Sequence, residues 1–278
     1  MLIKDAFLVV LLFSVNLSFA EDFRIGSWNV RCVEKSDSLA GDAWSKRVPE
    51  ISKIIHFIDF DVVGIQEADS LQTADLSRFL NEFSFYSPDS ESGNPIFFKK
   101  DVFDVLDSGF FWISETEGIR SRGWDARDYR TCVWLKLARK DSKKTFYFFN
   151  THWDHKGAEA RYQSALQLLK KIPEMVGDEP WFYVGDLNSQ RHQKPLKTIE
   201  KSGFAFFAKD FAKYVYAPEG SFNHYKPEKI GKHTIDHVIY NGSMSILRYG
   251  VLNATYWDGE EMRVPSDHHP LFVLVDLK

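Results

Sequence analysis

The segment Pro180-Trp181-Phe182-Tyr183-Val184-Gly185-Asp186-Leu187-Asn188 contains the feature on which the fold and the site both depend. Its apolar run, Trp181 to Val184, lies between a proline and a glycine and predicts a short strand, because such residues bound strands. Asp186 and Asn188 follow directly after it. The segment therefore predicts a core strand that ends in polar side chains.

The same arrangement recurs along the chain, where further polar residues lie beside apolar runs: Asn29, Glu67, His152, Asp236, Asp267 and His268. Each alone has a structural explanation, because Asn and Asp commonly form turns after strands. Six clusters together favour a shared cleft, since strand ends in one layered domain can converge. Carboxylate and amide oxygens with two imidazoles and no thiolate suit a hard cation, so this set favours Mg²⁺ over Zn²⁺.

Strands and helices alternate along most of the chain, and the mixture predicts an α+β fold built on packed sheets. No linker divides the sequence and no repeat is present, so we expect one domain over residues 21–278. The predicted helices are Trp44 to Phe57, Thr73 to Phe83 and Ala158 to Met175. The predicted strands are Phe23 to Trp28, Asp61 to Gln66, Pro95 to Phe98, Gly109 to Ile113, Thr131 to Leu137, Thr145 to Thr151, Trp181 to Val184, Ile235 to Tyr240, Ser245 to Leu252 and Leu271 to Val275.

Composition excludes several classes of protein. The 278 residues include 35 Lys+Arg and 39 Asp+Glu, a net charge of −4, with 44% hydrophobic residues and two cysteines. Such a chain is neither disordered nor disulfide-dense, and it has no general basic field to hold a nucleic acid. Cys32 and Cys132 could form a bridge, but nothing in the sequence indicates one.

Residues 1–20 have the pattern of a secretory signal, with Lys4 near the start, an apolar run, and Ser18-Phe19-Ala20 before the expected cut. A membrane anchor is the alternative, but the apolar run is short for a span of about 30 Å. We expect a secreted or periplasmic protein that has no stable membrane association after signal cleavage and is a monomer.

Six ordered motifs resemble those of the endonuclease/exonuclease/phosphatase superfamily of metal-dependent phosphoesterases. They extend over almost the whole chain after residue 20: Ser27-Trp28-Asn29-Val30, Ile65-Gln66-Glu67, Asn150-Thr151-His152, Gly185-Asp186-Leu187-Asn188, Ile235-Asp236-His237-Val238 and Ser266-Asp267-His268-His269-Pro270. The resemblance implies a four-layer α/β sandwich, in which two mixed β-sheets pack face to face and are flanked by helices. It also implies hydrolysis of a phosphodiester or phosphomonoester by direct attack of water.

The resemblance assigns a role to each site residue. Glu67 would be the main ligand of Mg²⁺, for which Mn²⁺ is expected to substitute, with Asn29 and Asp267 also at the metal. Asp186 would activate the attacking water and Asn188 would hold it. His152 and His268 would donate hydrogen bonds to the phosphate, and Asp236 would orient His268. The family usually has Tyr or Phe where His237 stands, and strand alternation predicts that His237 faces away from the site.

The substrate is less well defined by the sequence. Gly118 to Arg130 contains four arginines with Trp124 and Tyr129, which would form either a local anion site or a solvated loop. Arg127, Arg130 and His155 are the candidate substrate-binding residues. A nucleic acid or nucleotide is favoured over inositol phosphates and phospholipids. The sequence leaves two other classes open: a catalytically inactive binding protein on the same scaffold, and a zinc hydrolase that uses His152, His155 and His268 or His269.

Overall fold

Two mixed β-sheets form the centre of the computed structural model of this chain. The structure describes residues 22–88, 93–217, 220–227 and 231–276. The predicted signal segment, residues 1–20, lies outside the described residues. Within them, no helix is both long enough and apolar enough to cross a membrane.

The first sheet has seven strands in the order β10-β12-β15-β1-β2-β4-β3. Strands β1 and β2 are parallel, and β15 lies antiparallel to β1 on its other side. The strands are β1 (Asp22–Asn29), β2 (Val62–Gln66), β3 (Phe83–Tyr86), β4 (Ile96–Lys99), β10 (Tyr214–Tyr216), β12 (Ser245–Val251) and β15 (Leu271–Asp276).

The second sheet has six strands in the order β5-β6-β7-β8-β11-β9. Strands β7 and β8 are parallel, whereas β11 lies antiparallel to β8. The strands are β5 (Phe103–Trp112), β6 (Thr131–Arg139), β7 (Thr145–His152), β8 (Trp181–Asp186), β9 (Phe206–Phe207) and β11 (Asp236–Tyr240). A separate two-stranded sheet consists of β13 (Tyr256–Trp257) and β14 (Met262–Arg263).

Helices cover the outer face of each sheet and complete four layers. Helices α2 and α3 pack on the seven-stranded sheet, and α4 and α5 pack on the six-stranded sheet. The helices are α1 (Lys35–Leu39), α2 (Trp44–Ile58), α3 (Ser70–Phe79), α4 (Ala158–Val176), α5 (Lys194–Glu200) and α6 (Ala208–Phe211). The predicted four-layer sandwich is therefore confirmed.

Strand β7 shows why the core strands are apolar along their whole length. Phe146 and Phe148 point into the core between the sheets, whereas Tyr147 and Phe149 point into the core beneath α4. Successive side chains of a strand face opposite sides, and both faces of this strand are buried. A continuous apolar run is the expected sequence of such a strand.

The structure corrects one predicted helix, and among the strands it extends that predicted over Gly109 to Ile113 the most. The helix predicted over Thr73 to Phe83 ends at Phe79, and Phe83 begins β3. Leu80 has non-helical backbone angles (φ −109°, ψ 59°), so the chain turns there although the apolar spacing continues. The strand predicted over Gly109 to Ile113 begins earlier, at Phe103.

Strand pairing brings the polar strand ends to one end of the sandwich. His152 at the end of β7 pairs with Asp186 at the end of β8, and Asp186 pairs with Asp236 at the start of β11. In the other sheet, Asn29 at the end of β1 pairs with Gln66 at the end of β2. The facing sheets therefore deliver their polar residues to the same place.

Candidate active site

The predicted site residues meet at the floor of a cleft of about 740 Å³. Its lining includes the carboxylates of Glu67, Asp186 and Asp267, whose oxygens can bind a metal ion. It also includes the imidazoles of His152 and His268. Asn29 and Asp236 are buried directly behind this lining, at 0% and 1% exposure. The strand ends of both sheets therefore converge on one cleft, as the sequence indicated.

Asn29 joins two of the carboxylates. Its amide Nδ2 donates to Glu67 Oε1 at 2.9 Å and to Asp186 Oδ2 at 3.1 Å, while its Oδ1 accepts from the backbone N–H of Arg31. The backbone N–H of Cys32 donates to Glu67 Oε2 at 3.0 Å. Asn29 thus holds the carboxylates of Glu67 and Asp186 in place, and its role as a metal ligand stays a prediction.

Several residues at the site have left-handed backbone angles, which are unusual for residues other than glycine. Arg31 has a φ of 61°, Glu67 of 64° and Asn188 of 46°. Each follows a strand end and redirects a side chain into the cleft. Such conformations cost free energy and concentrate at functional sites.

His268 and Asp236 form a buried charged pair. His268 Nδ1 lies 2.8 Å from Asp236 Oδ2, and His268 Nε2 lies 3.7 Å from Asp186 Oδ2. Although burial opposes protonation, the charge of Asp236, followed by that of Asp186, raises the pKa of His268 to about 10. His268 is therefore an imidazolium that donates one N–H to Asp236 and presents the other to the cleft.

His152 has a different environment. Its Nε2 lies 3.0 Å from Asn188 Nδ2, so the amide donates to a neutral imidazole, and Asn188 Nδ2 also donates to the carbonyl of Trp153. Burial, reinforced by the positive charge of Arg130, lowers the pKa of His152. The two imidazoles thus differ in charge because only His268 has a carboxylate directly behind it.

Burial and the neighbouring charge of Asp236 raise the pKa of Asp186 to about 7. Burial and the charge of Glu67 likewise raise the pKa of Asp267. Glu67 is an exception, since hydrogen bonds from the Asn29 amide and the backbone N–H of Cys32, together with the charge of His268, outweigh burial and lower its pKa. Several carboxylates are therefore crowded together with too few cations among the described residues to neutralise them.

A hard cation fits this donor set. The atoms that Asp186, Asp236 and His268 offer lie within 4.8 Å of one another, and Asp236 Oδ1 is buried without a hydrogen-bond partner among the described residues. His268 is already paired with Asp236, so the carboxylates that line the cleft, those of Glu67, Asp186 and Asp267, are the groups that would hold a cation. Oxygen donors of this kind suit Mg²⁺, Mn²⁺ or Ca²⁺.

The zinc alternative is not supported by the arrangement of histidines. Neither candidate metal cluster found among the described residues contains more than one imidazole. His237 lies on the opposite face of β11, as strand alternation predicts: its Nε2 is 2.9 Å from the carbonyl of Ser189, and its ring packs edge-on against Phe207. Burial lowers the pKa of His237 to about 4.

The candidate substrate residues form one side of the same cleft. Arg127, Arg130 and His155 all line it, and Arg130 Nη2 lies 3.4 Å from His155 Nδ1. The other two arginines of the predicted cluster, Arg120 and Arg122, are not among the lining residues, and their guanidinium carbons lie 3.7 Å and 5.8 Å from the ring centre of Tyr129. The four arginines thus divide into a cleft pair and an outer pair.

Cys32 and Cys132 are both free thiols. Cys32 lines the cleft, whereas Cys132 is fully buried in the core beneath α4. The bridge that the sequence left open is absent between these two described residues.

Two groups beside the site were not identified as site residues from the sequence. Gln66 and Asn150 form a polar contact between the sheets below the site: Gln66 Nε2 donates to Asn150 Oδ1 at 2.7 Å, and Asn150 Nδ2 donates to the carbonyl of Ile65. Phe222 lines the cleft with its ring centre 4.8 Å from that of His268. Gln66 and Asn150 stand inside quoted motifs, which was a usable signal, whereas Phe222 had none.

Fold and site together define a hydrolase that acts at the end of a two-sheet sandwich. A model of the endonuclease/exonuclease/phosphatase family matches residues 26–268 of the chain. The protein belongs to this family. It is a phosphoric ester hydrolase of a metal-dependent family.

Solved structures agree with this assignment. A family member from Bacteroides thetaiotaomicron is 33% identical, with a TM-score of 0.90 over 94% of this chain and 99% of that chain. A mannosyl-6-phosphatase from the same species is also 33% identical, with a TM-score of 0.88 over 91% of this chain and 99% of that one. A TDP2 from D. rerio, complexed with single-strand DNA product, is only 13% identical (TM-score 0.73; 92% and 99% covered) and shows the fold alone. No curated protein matches the sequence.

Proposed function

We propose that the protein is an extracytoplasmic Mg²⁺-dependent phosphatase that hydrolyses a sugar phosphate by direct attack of water. The central observation is the position of Asp186. Its Oδ2 lies 3.1 Å from Asn29 Nδ2, 3.4 Å from His152 Nε2 and 3.7 Å from His268 Nε2. A carboxylate surrounded in this way can take a proton from a water that attacks a phosphate bound beside both imidazoles.

The other side chains position the reacting groups. His268, charged because of Asp236, donates its second N–H to a phosphate oxygen. His152 lines the floor beside Asn188, whose amide is fixed between His152 and a backbone carbonyl and can orient the water. A bound Mg²⁺, held by Glu67 and Asp267, would supply positive charge to the phosphate and the leaving oxygen.

A sugar phosphate is favoured for two reasons. The mannosyl-6-phosphatase is 33% identical and is matched over 99% of its length. The cleft lining also carries Glu34, Asp69 and Asp128 beside Arg31, Arg127 and Arg130, so it offers no excess of positive charge to a long polyanion. A small phosphomonoester satisfies both observations.

A nucleotide or nucleic acid, which the sequence favoured, is the second candidate. Tyr129 lies in the cleft beside Arg127 and Arg130, and aromatic and arginine side chains together bind unpaired bases. Under this alternative, single-stranded oligonucleotides would be better substrates than sugar phosphates.

Export and assembly are further parts of the proposal. The signal-like pattern of residues 1–20 supports cleavage after Ala20 and release to the periplasm or medium without stable membrane association. We further propose that the released protein is a monomer. Sequencing the amino terminus of protein recovered from outside the cytoplasm tests the proposed export. An amino terminus at Met1 on a membrane-bound protein would contradict it.

Catalysis is tested with purified protein that has been stripped of metal by chelation. We expect hydrolysis of mannose 6-phosphate on addition of Mg²⁺, or of Mn²⁺, and little without either. Asp186→Asn should lose at least about 10³-fold in kcat, because the water-activating carboxylate is lost. Asp101→Asn, at an exposed turn, is the matched control.

Each result discriminates between alternatives. Activity of Asp186→Asn equal to that of Asp101→Asn would refute the role of Asp186. Zn²⁺ restoring activity where Mg²⁺ does not would favour a zinc hydrolase. Full folding and metal binding without hydrolysis of any sugar phosphate, nucleotide, oligonucleotide, inositol phosphate or sphingomyelin would indicate a binding protein.

A further inference from the structure

One wall of the cleft holds none of the reacting groups of the hydrolysis described above. It consists of four consecutive residues, Arg127, Asp128, Tyr129 and Arg130, all of which line the cleft. This 127–130 wall precedes β6 and is close to the reacting centre, since the charge of Arg130 acts on His152. The wall is therefore placed where it could contact the leaving group of the substrate.

The wall is held rigidly by Asp154, whose side chain is 1% exposed. The carboxylate accepts the backbone N–H of Asp128 at 2.9 Å, and those of Lys156 at 2.9 Å and Gly157 at 2.6 Å. It therefore ties the wall to the start of α4. Rigid support of this kind is what a specificity surface needs, because little ordering cost is added on binding.

Tyr129 gives the wall a fixed aromatic surface. The guanidinium carbon of Arg120 lies 3.7 Å from its ring centre, and Trp112 packs at 6.0 Å with the rings at 74°. Even so, 38% of Tyr129 remains exposed, and it lines the cleft. A supported aromatic ring in a cleft can pack against the apolar face of a ring-shaped ligand.

Arg130 and Asp128 supply hydrogen-bonding groups beside that ring. Arg130 lines the cleft, and its Nη2 lies 3.6 Å from Asp128 Oδ2 and 3.4 Å from His155 Nδ1. The guanidinium has several N–H groups and the carboxylate can accept several hydrogen bonds, so these contacts do not exhaust either group. Donors and an acceptor are therefore adjacent in the wall and can also bind a ligand.

The mixed charge of the wall decides what it can hold. A second phosphate would be attracted by Arg130 but repelled by Asp128. Hydroxyl groups can use both, because each hydroxyl donates one hydrogen bond and accepts others. The combination of an aromatic ring, a guanidinium and a carboxylate thus suits a neutral ring that carries hydroxyls.

We propose that the 127–130 wall is the leaving-group subsite and that it holds a sugar ring, stacked on Tyr129 with its hydroxyls bonded to Asp128 and Arg130. This inference rests on the proposed phosphatase function and adds the part of the site that selects the substrate. The reacting phosphate lies on the floor near His268, and the sugar lies against the wall.

The test compares two phosphate monoesters of primary alcohols, mannose 6-phosphate and ethyl phosphate, which share the reacting group and differ in the leaving group. We expect wild-type kcat/KM to be at least about tenfold higher for mannose 6-phosphate. Tyr129→Ala and Arg130→Gln should each reduce that preference by about tenfold or more, the size expected for one lost contact to a charged or aromatic group. Tyr129→Phe, which keeps the ring, should restore most of the preference.

Arg248→Gln is the matched control, because Arg248 is exposed on β12 and is not among the residues that line the cleft. This control should leave kcat/KM unchanged for both mannose 6-phosphate and ethyl phosphate. A parallel fall of kcat/KM for both substrates in Tyr129→Ala and Arg130→Gln would overturn the inference, since the wall would then be only structural. A wild-type preference for single-stranded oligonucleotides would also overturn it. Absence of Mg²⁺-dependent hydrolysis of both monoesters and the oligonucleotides would instead refute the proposed function itself.

Discussion

Replacing Arg47 with methionine tests whether one buried guanidinium holds two parts of the site together. Arg47 lies on α2 and is 1% exposed. Its guanidinium donates to backbone carbonyls in three separate segments. The acceptors are the carbonyls of Val30, Arg31, Cys32, Asp42 and Pro265.

Four of these carbonyls, those of Val30, Arg31, Cys32 and Pro265, lie close in sequence to the predicted metal ligands Asn29 and Asp267. Cys32 donates its backbone N–H to Glu67, and Pro265 is two residues before Asp267. Methionine fills a similar volume but donates nothing, so the carbonyls would be buried without their charged partner. Single hydrogen bonds to charged groups are worth about 1.5–3 kcal/mol, and breaking a buried charged network costs about 3–5 kcal/mol.

We therefore expect Arg47→Met to lower the free energy of unfolding by about 3–5 kcal/mol, and Arg47→Lys by less, because an ammonium still offers three donors. Denaturation in urea measures both. We also expect Arg47→Lys, which should stay folded, to need at least about tenfold more Mg²⁺ for half-maximal activity, as disturbed outer-sphere contacts usually cause.

The control is Arg248→Met, at an exposed position on β12. If Arg47→Met unfolds within about 0.5 kcal/mol of this control, the size usual for surface substitutions, then the guanidinium does not organise the fold. If Arg47→Lys loses stability but keeps the wild-type Mg²⁺ requirement, Arg47 supports the loops without positioning the ligands.

Three further predictions concern other parts of the molecule. Backbone N–H groups, which outweigh burial, lower the pKa of Asp154 from 3.8 to about 2; its stabilising effect should be complete above pH 4 and lost as the pH falls towards 2. As the pH falls from about 4 to about 2, Asp154→Asn should therefore lose about 2 kcal/mol less of its free energy of unfolding than the wild type, as measured by denaturation in urea. An equal loss in both proteins would contradict this. Gly185→Ala should cost about 3 kcal/mol or more in thermal unfolding, because Gly185 has a φ of 149° and an added Cβ would lie 1.9 Å from the carbonyl oxygen of Thr151; an unchanged melting temperature would refute the clash. Glu67→Gln should weaken Mg²⁺ binding, measured by calorimetry, by at least about tenfold, and wild-type affinity would exclude Glu67 as the main ligand.

The core strands were predictable because both of their faces are buried, so apolar runs mark them without reference to the rest of the chain. The end of α3 was not predictable in this way. Leu76, Leu80 and Phe83 are spaced as on a helix, yet Leu80 leaves the helix and Phe83 pairs with Lys99 of β4. Periodicity cannot show where pairing with a distant strand outweighs one more helical turn.

The residues of the site likewise divide into those that the sequence reveals and those that only the structure reveals. Carboxylates and imidazoles at strand ends could be recognised from sequence, since Asp186 and His152 directly follow apolar runs. Arg47 could not, because an arginine on an amphipathic helix is normally solvated. Its burial arises only when carbonyls from segments as distant as Val30 and Pro265 converge. Sequence also could not separate Arg120 and Arg122, which support Tyr129 from behind, from the arginines inside the cleft.

The acidic floor of the cleft shows what a chain with net charge −4 needs in order to act on an anion, namely a bound cation. A phosphate monoester carries a charge of about −1.5 to −2 at neutral pH, and the floor presents Glu67, Asp186 and Asp267 to it. The imidazolium of His268 is balanced by Asp236, so it contributes hydrogen bonding more than net charge. Without a cation, substrate and carboxylates would repel one another across a few ångströms of partly desolvated space, where such interactions are strong. The same carboxylates that would exclude phosphate alone are therefore those that would bind phosphate together with a divalent metal, so affinity for substrate and affinity for metal must be coupled in this site.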